Sequence, residues 1–127
     1  MLEPLAGYLQ LAEQRLTREG NKFSNAWKFG PDASGDATVG EVAETTARLW
    51  GDGARVVNAA SVENPRETGL LRLDSTSART ELAWKPRWSL QQALEHTVAW
   101  RRAWQRGADM TRISLDQIHE YEAASRS

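Results

Sequence analysis

Apolar residues recur along this chain with helical spacing at its start and with strand spacing directly afterwards. The first stripe advances in steps of three and four residues and predicts a helix with Pro4 in its first turn and Gly20 as its cap. The members of this stripe are Leu2, Leu5, Leu9, Ala12 and Leu16. From Phe23 to Phe29 the pattern alternates, with Phe23, Trp27 and Phe29 on one face, which predicts a strand.

Capping boxes mark the starts of three further helices. Thr38 and Glu41 open a helix that closes at Gly51, with a stripe of Val39, Val42, Ala43, Thr46 and Trp50. Ser89 and Gln92 open the strongest helix, which ends before Gly107 and carries Leu90, Ala93, Leu94, Thr97, Trp100 and Trp104. Ser114 and Gln117 start a terminal helix that carries Leu115, Ile118 and Tyr121. Asp74 is the expected N-cap of a short helix through Leu82.

Two more short strands are expected, at 55–58 and 70–73. The resulting order is helix, strand, helix, two strands and three helices, which indicates a small, helix-rich α/β fold with few and short strands. A length of 127 residues suits a single domain. We therefore expect one domain over residues 1–127, in which residues 108–127 form a helical tail.

Composition removes several functional classes. The net charge of −1 provides no field that would attract a nucleic-acid backbone. The chain has no cysteine and only two histidines, so we expect no disulfide and no metal site. No apolar run approaches the roughly 20 residues that cross a membrane, and the first residues lack the pattern of a signal peptide. A cytoplasmic location is the expectation.

The sequence contains no catalytic constellation. It has neither a glycine-rich phosphate loop nor a nucleophile elbow, and neither tyrosine belongs to a Tyr-x-x-x-Lys pair. Trp84 and Trp88 bracket Lys85-Pro86-Arg87, a pattern that can clamp a nucleotide. The favoured interpretation is that Trp84 and Trp88 pack a loop against core residues Trp100 and Trp104. The basic cluster Arg101, Arg102 and Arg106 is expected to form a solvated face, and both His96 and His119 are expected to be exposed.

The best candidate binding residues lie in the polar loop Pro65–Thr68. The planar guanidinium of Arg66 can grip a pyrophosphate, and the adjacent Glu67 can orient it or bind a sugar hydroxyl. A plain surface ion pair is the alternative interpretation. In both interpretations the two charged side chains lie in a loop and not on the face of a helix.

Several motifs together resemble the C-terminal part of the CDP-glucose 4,6-dehydratases, which are extended short-chain dehydrogenase/reductases. The run from Leu2 to Leu9 is similar to the helix that follows their R-P-W-Q-H-V motif, and Asn25–Asp32 is similar to their N-x-W-N-F-G-P-D turn. Four later segments are similar to their P-H-E-A, L-x-L-D, L-G-W-x-P-R-W and T-V-x-W motifs, and the tail is similar to L-x-Q-I-x-x-Y. These segments are Pro65–Thr68, Leu71–Asp74, Leu82–Trp88, Thr97–Trp100 and Leu115–Tyr121.

The resemblance implies a nucleotide-sugar-binding part that is inactive by itself. The family uses NAD to oxidise C4 of a CDP-hexose, eliminates water across C5 and C6, and returns the hydride to C6 in deoxysugar biosynthesis. Its NAD-binding turn and Tyr-x-x-x-Lys pair lie in an N-terminal Rossmann half, so no cofactor is expected on this chain. Four positions depart from the family pattern, namely Lys28, Arg66, Ala83 and Arg101.

Under this resemblance the substrate-binding candidates are Arg66, Glu67, Trp27 and Asn25, and the ligand is a CDP-sugar. The first helical stripe and the strand of Trp27 would then face the Rossmann half, and we expect the chain to self-associate without it. Two alternatives stay open. One is a related nucleotide-sugar epimerase or reductase domain, and the other is a non-enzymatic module that binds a protein through its tryptophan-rich helices.

Overall fold

The described residues form five α-helices and one short 3₁₀-helix. A computed structural model describes residues 1–31, 36–57 and 73–124. The α-helices are α1 (Leu2–Arg15), α2 (Val39–Trp50), α3 (Thr76–Glu81), α4 (Leu90–Gln105) and α5 (Met110–Ala124), and the 3₁₀-helix spans Gly20–Phe23. The predicted helix-rich domain is confirmed at this level.

The strand predictions are wrong for the described residues, which contain no strand. Phe23 ends the 3₁₀-helix, and the following residues up to Phe29 have no regular secondary structure. Arg55–Val57 are likewise irregular, whereas Asn58 and residues 70–72 lie outside the described residues. The alternation between Phe23 and Phe29 reflects side-chain packing, because Phe23, Trp27 and Phe29 all pack against the core.

A small aromatic core lies where α1 meets α3 and the segment that follows it. Ala78, Leu82 and Trp84 are buried, and Leu11, Phe23, Trp27 and Phe29 pack around them. The Phe29 ring meets the Trp84 ring edge-on at 5.2 Å between centroids. Gly7 is buried in α1, and a Cβ there would overlap the Phe29 ring. This glycine allows α1 to approach the aromatic side chains closely.

The apolar stripe of α1 does not face this core. Leu5, Leu9 and Leu16, which we call the outer stripe, are between 46% and 89% exposed. The inner face of α1 instead presents Gly7 and Leu11, and the Tyr8 ring meets the Phe29 ring edge-on at 5.5 Å between centroids. Three leucines of the predicted stripe are therefore exposed in the described part of the chain.

The second packing unit joins α4 to α2 and to α5. Arg102 on α4 donates a hydrogen bond to the Trp50 carbonyl at the end of α2, and its second nitrogen lies 3.0 Å from the Asp52 carboxylate. On the other side, Trp100 Nε1 donates to Ser114 Oγ at 3.0 Å, and Gln117 Nε2 donates to the His96 carbonyl at 2.8 Å. Polar side chains thus fix the relative positions of these three helices.

The helix ends test the capping predictions. The capping boxes of α2 and α4 are confirmed, and Gly51 ends α2 with a φ of 69°. The predicted start of α5 at Ser114 is wrong, because the helix begins at Met110. Asp109 accepts hydrogen bonds from the Thr111 and Arg112 amides there.

Two other helix ends also differ from prediction. The α1 helix ends at Arg15, so Gly20 is a buried part of the 3₁₀-helix instead of the α1 cap. Ser75 occupies the N-cap position of α3, although Asp74 Oδ1 does accept the Thr76 amide at 2.9 Å.

Candidate functional site

A cleft of about 370 Å³ lies beside the aromatic core, between the first turn of α1, residues 29–31 and the loop that joins α3 to α4. Its walls are largely apolar and include three aromatic rings and three prolines, namely Phe29, Trp84, Trp88, Pro4, Pro31 and Pro86. Polar atoms enter it from Glu3, Arg87 and Ser89. A mostly apolar cleft of this size with a few polar groups is typical of small-ligand sites.

The carboxylate of Glu3 holds one wall of the cleft in place. Its Oε1 accepts the Arg87 and Trp88 amides at 2.9 and 2.7 Å, and its Oε2 accepts the Tyr121 hydroxyl at 2.8 Å. One side chain in the first turn of α1 therefore connects three parts of the chain: α1, the 84–89 loop and α5. Hydrogen bonds to a charged acceptor are stronger than neutral ones, so this contact fixes the loop.

An aromatic stack continues from this contact. Trp88 stacks on His96 at 3.9 Å between ring centroids and meets the Tyr121 ring edge-on at 5.0 Å. The Arg87 guanidinium lies 4.7 Å from the centre of the Tyr121 ring. Burial, reinforced by the hydrogen bond to Glu3, raises the pKa of the Tyr121 hydroxyl well above its usual range. Tyr121 is therefore a neutral hydrogen-bond donor at physiological pH.

Among the described residues that line the cleft, Trp84 alone has a fully buried side-chain polar atom without a hydrogen-bond partner. Its side chain is only 4% exposed, and Nε1 has no hydrogen-bond partner among the described residues. A buried N–H without an acceptor costs roughly 1–3 kcal/mol.

The predicted site residues that the structure describes have structural roles. Trp27 Nε1 donates to the Phe23 carbonyl at 3.1 Å, and its ring stacks on Phe23 at 6.0 Å between centroids. Asn25 Nδ2 donates to the Lys22 carbonyl at 3.2 Å. Both side chains fasten the turn after the 3₁₀-helix, and neither lines the cleft. Arg66 and Glu67 lie outside the described residues.

The tryptophans and the basic cluster of α4 lie in environments that agree only in part with those predicted from the sequence. Trp84 was expected to pack a loop against Trp100 and Trp104, but it is itself a buried core residue whose ring partner is Phe29. Trp104 is 50% exposed with the Arg101 guanidinium 4.0 Å from its ring centre, so the prediction that it is a core residue is wrong. Arg102 is part-buried and pins α2 to α4, so the prediction of a solvated face is wrong for it.

The two histidines also differ from each other. His119 is exposed as expected, whereas His96 is part-buried because Trp88 covers its ring. His96 Nδ1 lies 3.5 Å from a carboxylate oxygen of Glu120. The prediction of an exposed side chain is therefore wrong for His96.

The arrangement suits binding more than proton transfer. The Glu3 carboxylate already accepts three hydrogen bonds, and Tyr121 has a raised pKa. Within residues 1–31, 36–57 and 73–124, no cluster of three acidic or histidine side chains could hold a metal ion. The same described ranges include no helix with the length and hydropathy needed to cross a membrane.

Sequence reasoning missed the Glu3 contact. Glu3 and Tyr121 are separated by 118 positions, and an acidic residue in the first turn of a helix is usually explained by the helix dipole. The signal that was available is the pairing of the Leu2–Leu9 run with the terminal Q-I-x-x-Y motif in one family resemblance.

Comparison with known proteins agrees with that resemblance to part of a dehydratase. No protein-family model matches the chain. The chain is 41% identical over 125 residues to a CDP-glucose 4,6-dehydratase of Salmonella typhimurium. The alignment covers 98% of this chain and 34% of the relative. The chain therefore spans about a third of the length of the curated protein that it matches.

Proposed function

We propose that this chain forms the C-terminal, nucleotide-sugar-binding part of an enzyme of the CDP-glucose 4,6-dehydratase type. The similarity along almost the whole chain to a third of such an enzyme carries the proposal. In this role the chain binds a CDP-hexose, while the matching enzyme's other two thirds would supply the Rossmann half with NAD and the proton-transfer residues. The chain alone would then be inactive.

The nucleotide contacts fall to Arg66 and Glu67. Trp27 and Asn25, the other two candidates, each donate a side-chain N–H to a nearby carbonyl of the same turn. A planar guanidinium forms paired hydrogen bonds with phosphate oxygens, and a carboxylate accepts hydrogen bonds from sugar hydroxyls. Arg66 stands where the family usually has histidine, so a cation is kept at this position.

A chimera tests the proposed activity. These 127 residues replace the matching third of the Salmonella typhimurium enzyme, and the conversion of CDP-glucose to the 4-keto-6-deoxy product is followed chromatographically. We expect dehydration by the chimera and none by the 127-residue chain alone. A folded chimera without activity, or a chain that dehydrates CDP-glucose unaided, would contradict the proposal.

Calorimetry on the chimera then identifies the binding residues. We expect CDP to bind and Arg66→Ala to weaken binding about tenfold, which is a loss near 1.4 kcal/mol for a charge-assisted contact. Arg18→Ala is the matched control, because Arg18 is an exposed arginine at the end of the α1 region. Preference for dTDP or GDP would instead indicate a related epimerase or reductase. Absence of any nucleotide binding would favour a protein-interaction module.

A further inference from the structure

The loop between α3 and α4 has two unfavourable features in adjacent residues. Ala83 adopts a left-handed φ of 52°, a conformation that is costly for alanine because its Cβ approaches the backbone. Trp84, which follows it, is buried, and its Nε1 has no hydrogen-bond partner among the described residues. Both costs would end if the loop moved outward, since Ala83 could leave the left-handed region and the indole N–H could meet water.

Residues 83–87, which we call the flap, lie between two anchored ends. Leu82 is buried, and its carbonyl accepts a hydrogen bond from the Gln10 side chain on α1. At the other end, Trp88 stacks on His96 at 3.9 Å between ring centroids. A short segment between two fixed ends can swing through changes in a few backbone angles at those ends.

Two hydrogen bonds from amides of the flap hold it closed against α1 and α3. The Glu3 carboxylate accepts the Arg87 amide at 2.9 Å, and the Trp84 amide donates to the Ala78 carbonyl at 3.0 Å. A hydrogen bond to a charged acceptor is stronger than a neutral one, so the Glu3 contact is the stronger of the two. Glu3 also accepts the Trp88 amide at 2.7 Å, which fixes its carboxylate beside the end of the flap.

We propose that the flap opens as one unit and that the Glu3 carboxylate is its latch. Trp84, Pro86 and Arg87 belong to the walls of the cleft of about 370 Å³, so opening widens the cleft and exposes Trp84 to water. This movement controls how a small molecule reaches the apolar walls of the cleft. The inference goes beyond the proposed function, because it concerns contacts within this chain and involves no nucleotide.

Native-state hydrogen exchange of the 127-residue chain, followed by NMR, tests the flap. We expect the Trp84 and Arg87 amides to exchange through one common opening, roughly tenfold or more faster than the amide of Val98, a buried residue of α4. Because a local opening exposes little new surface, urea should accelerate it much less than it accelerates the exchange of Val98. The indole N–H of Trp84 should exchange through the same opening.

Variants test the latch and the backbone strain separately. Glu3→Gln should speed the exchange of both flap amides about tenfold, because a neutral amide is a weaker acceptor than a carboxylate. Ala83→Gly should slow it about twofold, because glycine adopts the left-handed conformation without the steric cost. Glu13→Gln is the matched control, since it changes an exposed glutamate of the same helix, and it should leave the exchange of the flap unchanged.

The flap would be contradicted if the Trp84 and Arg87 amides exchanged only with global unfolding, at the rate and with the urea dependence of Val98. Unrelated rates for the two amides would also overturn it. No response to Glu3→Gln would mean that other contacts close the loop, and would overturn the latch. If Glu3→Gln does not fold, Ala83→Gly and the wild-type exchange rates decide the question. An inactive chimera would not affect this inference, and a loop that stays closed would not affect the proposed function.

Discussion

Helices α1 and α2 were predicted from the same kind of pattern, yet only the stripe of α2 is half-buried. The stripe of α2 is half-buried from Val42 to Trp50, and α2 packs on α4. The leucines of the α1 stripe are exposed, and the contacts of this helix with the core come from Gly7, Tyr8 and Leu11. Periodicity thus identifies a face that tends to be buried, but it does not identify the partner.

The two helices also begin in different ways. The start of α2 is local, since Thr38 and Glu41 cap each other across three residues. The start of α1 has no side-chain cap, and its Glu3 instead binds the 84–89 loop and α5. The α1 helix is therefore held by residues far along the chain, which makes its stability more dependent on the rest of the fold.

The largest expected effect comes from removing the Glu3 carboxylate. Glu3→Ala should lower the free energy of unfolding by about 3 kcal/mol, because two backbone amides and the Tyr121 hydroxyl lose a charged acceptor. Thr38→Ala, which removes the local cap of α2, should cost only about 1 kcal/mol. Urea denaturation followed by circular dichroism measures both. Equal losses would mean that the long-range contact adds nothing beyond a cap.

A pair of helical glycines provides the second test. Gly7→Ala should destabilise the protein by about 2 kcal/mol, because the new Cβ overlaps the Phe29 ring in a packed core. Gly40→Ala in α2 is the matched control, since its Cβ would meet only the Thr38 hydroxyl at 3.8 Å. That variant should instead stabilise the protein by about 0.5 kcal/mol through reduced backbone entropy. Thermal unfolding would contradict the close approach of α1 if both variants shifted in the same direction.

These glycines illustrate what the sequence could and could not predict. Capping boxes involve residues three apart, and both the α2 and α4 starts were found correctly. The end of α1, the N-cap of α3 and the start of α5 differ from the local signals, and at α5 Asp109 is the cap. The inner face of α1 could not be predicted, because a glycine carries no hydrophobic signal and its role depends on a ring 22 residues away.

In the candidate site, too, local features could be predicted from the sequence and contacts between distant residues could not. The tryptophan-rich loop was noted in the sequence, and Trp84 and Trp88 do line the cleft. The carboxylate that fixes this loop lies 84 and 85 positions from the amides that it binds, beyond the range of any local pattern. Trp27 and Asn25 suited a binding role by residue type, and in the structure each donates a side-chain N–H within the local turn.

Alkaline pH tests the link between α5 and α1. The hydroxyl of Tyr121 has a raised pKa in the folded state, so the folded protein holds this proton more tightly than the unfolded chain does. Its stabilisation is complete below the unfolded value of about 10 and is lost as the pH rises above it. Tyr121→Phe should lower the free energy of unfolding by about 1 kcal/mol at pH 7. Above pH 10 this variant should not show the decrease in stability that ionisation of the Tyr121 hydroxyl causes in the wild type.

Denaturant midpoints between pH 7 and 11 measure that difference. The matched control at pH 7 is Tyr8→Phe, because Tyr8 is 57% exposed and its loss of a hydroxyl should cost much less. If the wild-type and Tyr121→Phe curves stay parallel above pH 10, the hydroxyl does not contribute through Glu3.

The smallest expected effect lies at a helix end. The α2 helix ends on Gly51 with a φ of 69°, whereas Ala83, just after α3, adopts a φ of 52° despite its Cβ. The Ala83 conformation lets the Trp84 amide donate to the Ala78 carbonyl at 3.0 Å and turns Trp84 into the core.

A left-handed alanine costs roughly 1–2 kcal/mol, and glycine loses roughly 0.5–1 kcal/mol more entropy on folding. Ala83→Gly should therefore stabilise the protein by about 0.5 kcal/mol in urea denaturation. Loss of stability in Ala83→Gly would mean that the methyl group contributes more through packing than the backbone conformation costs.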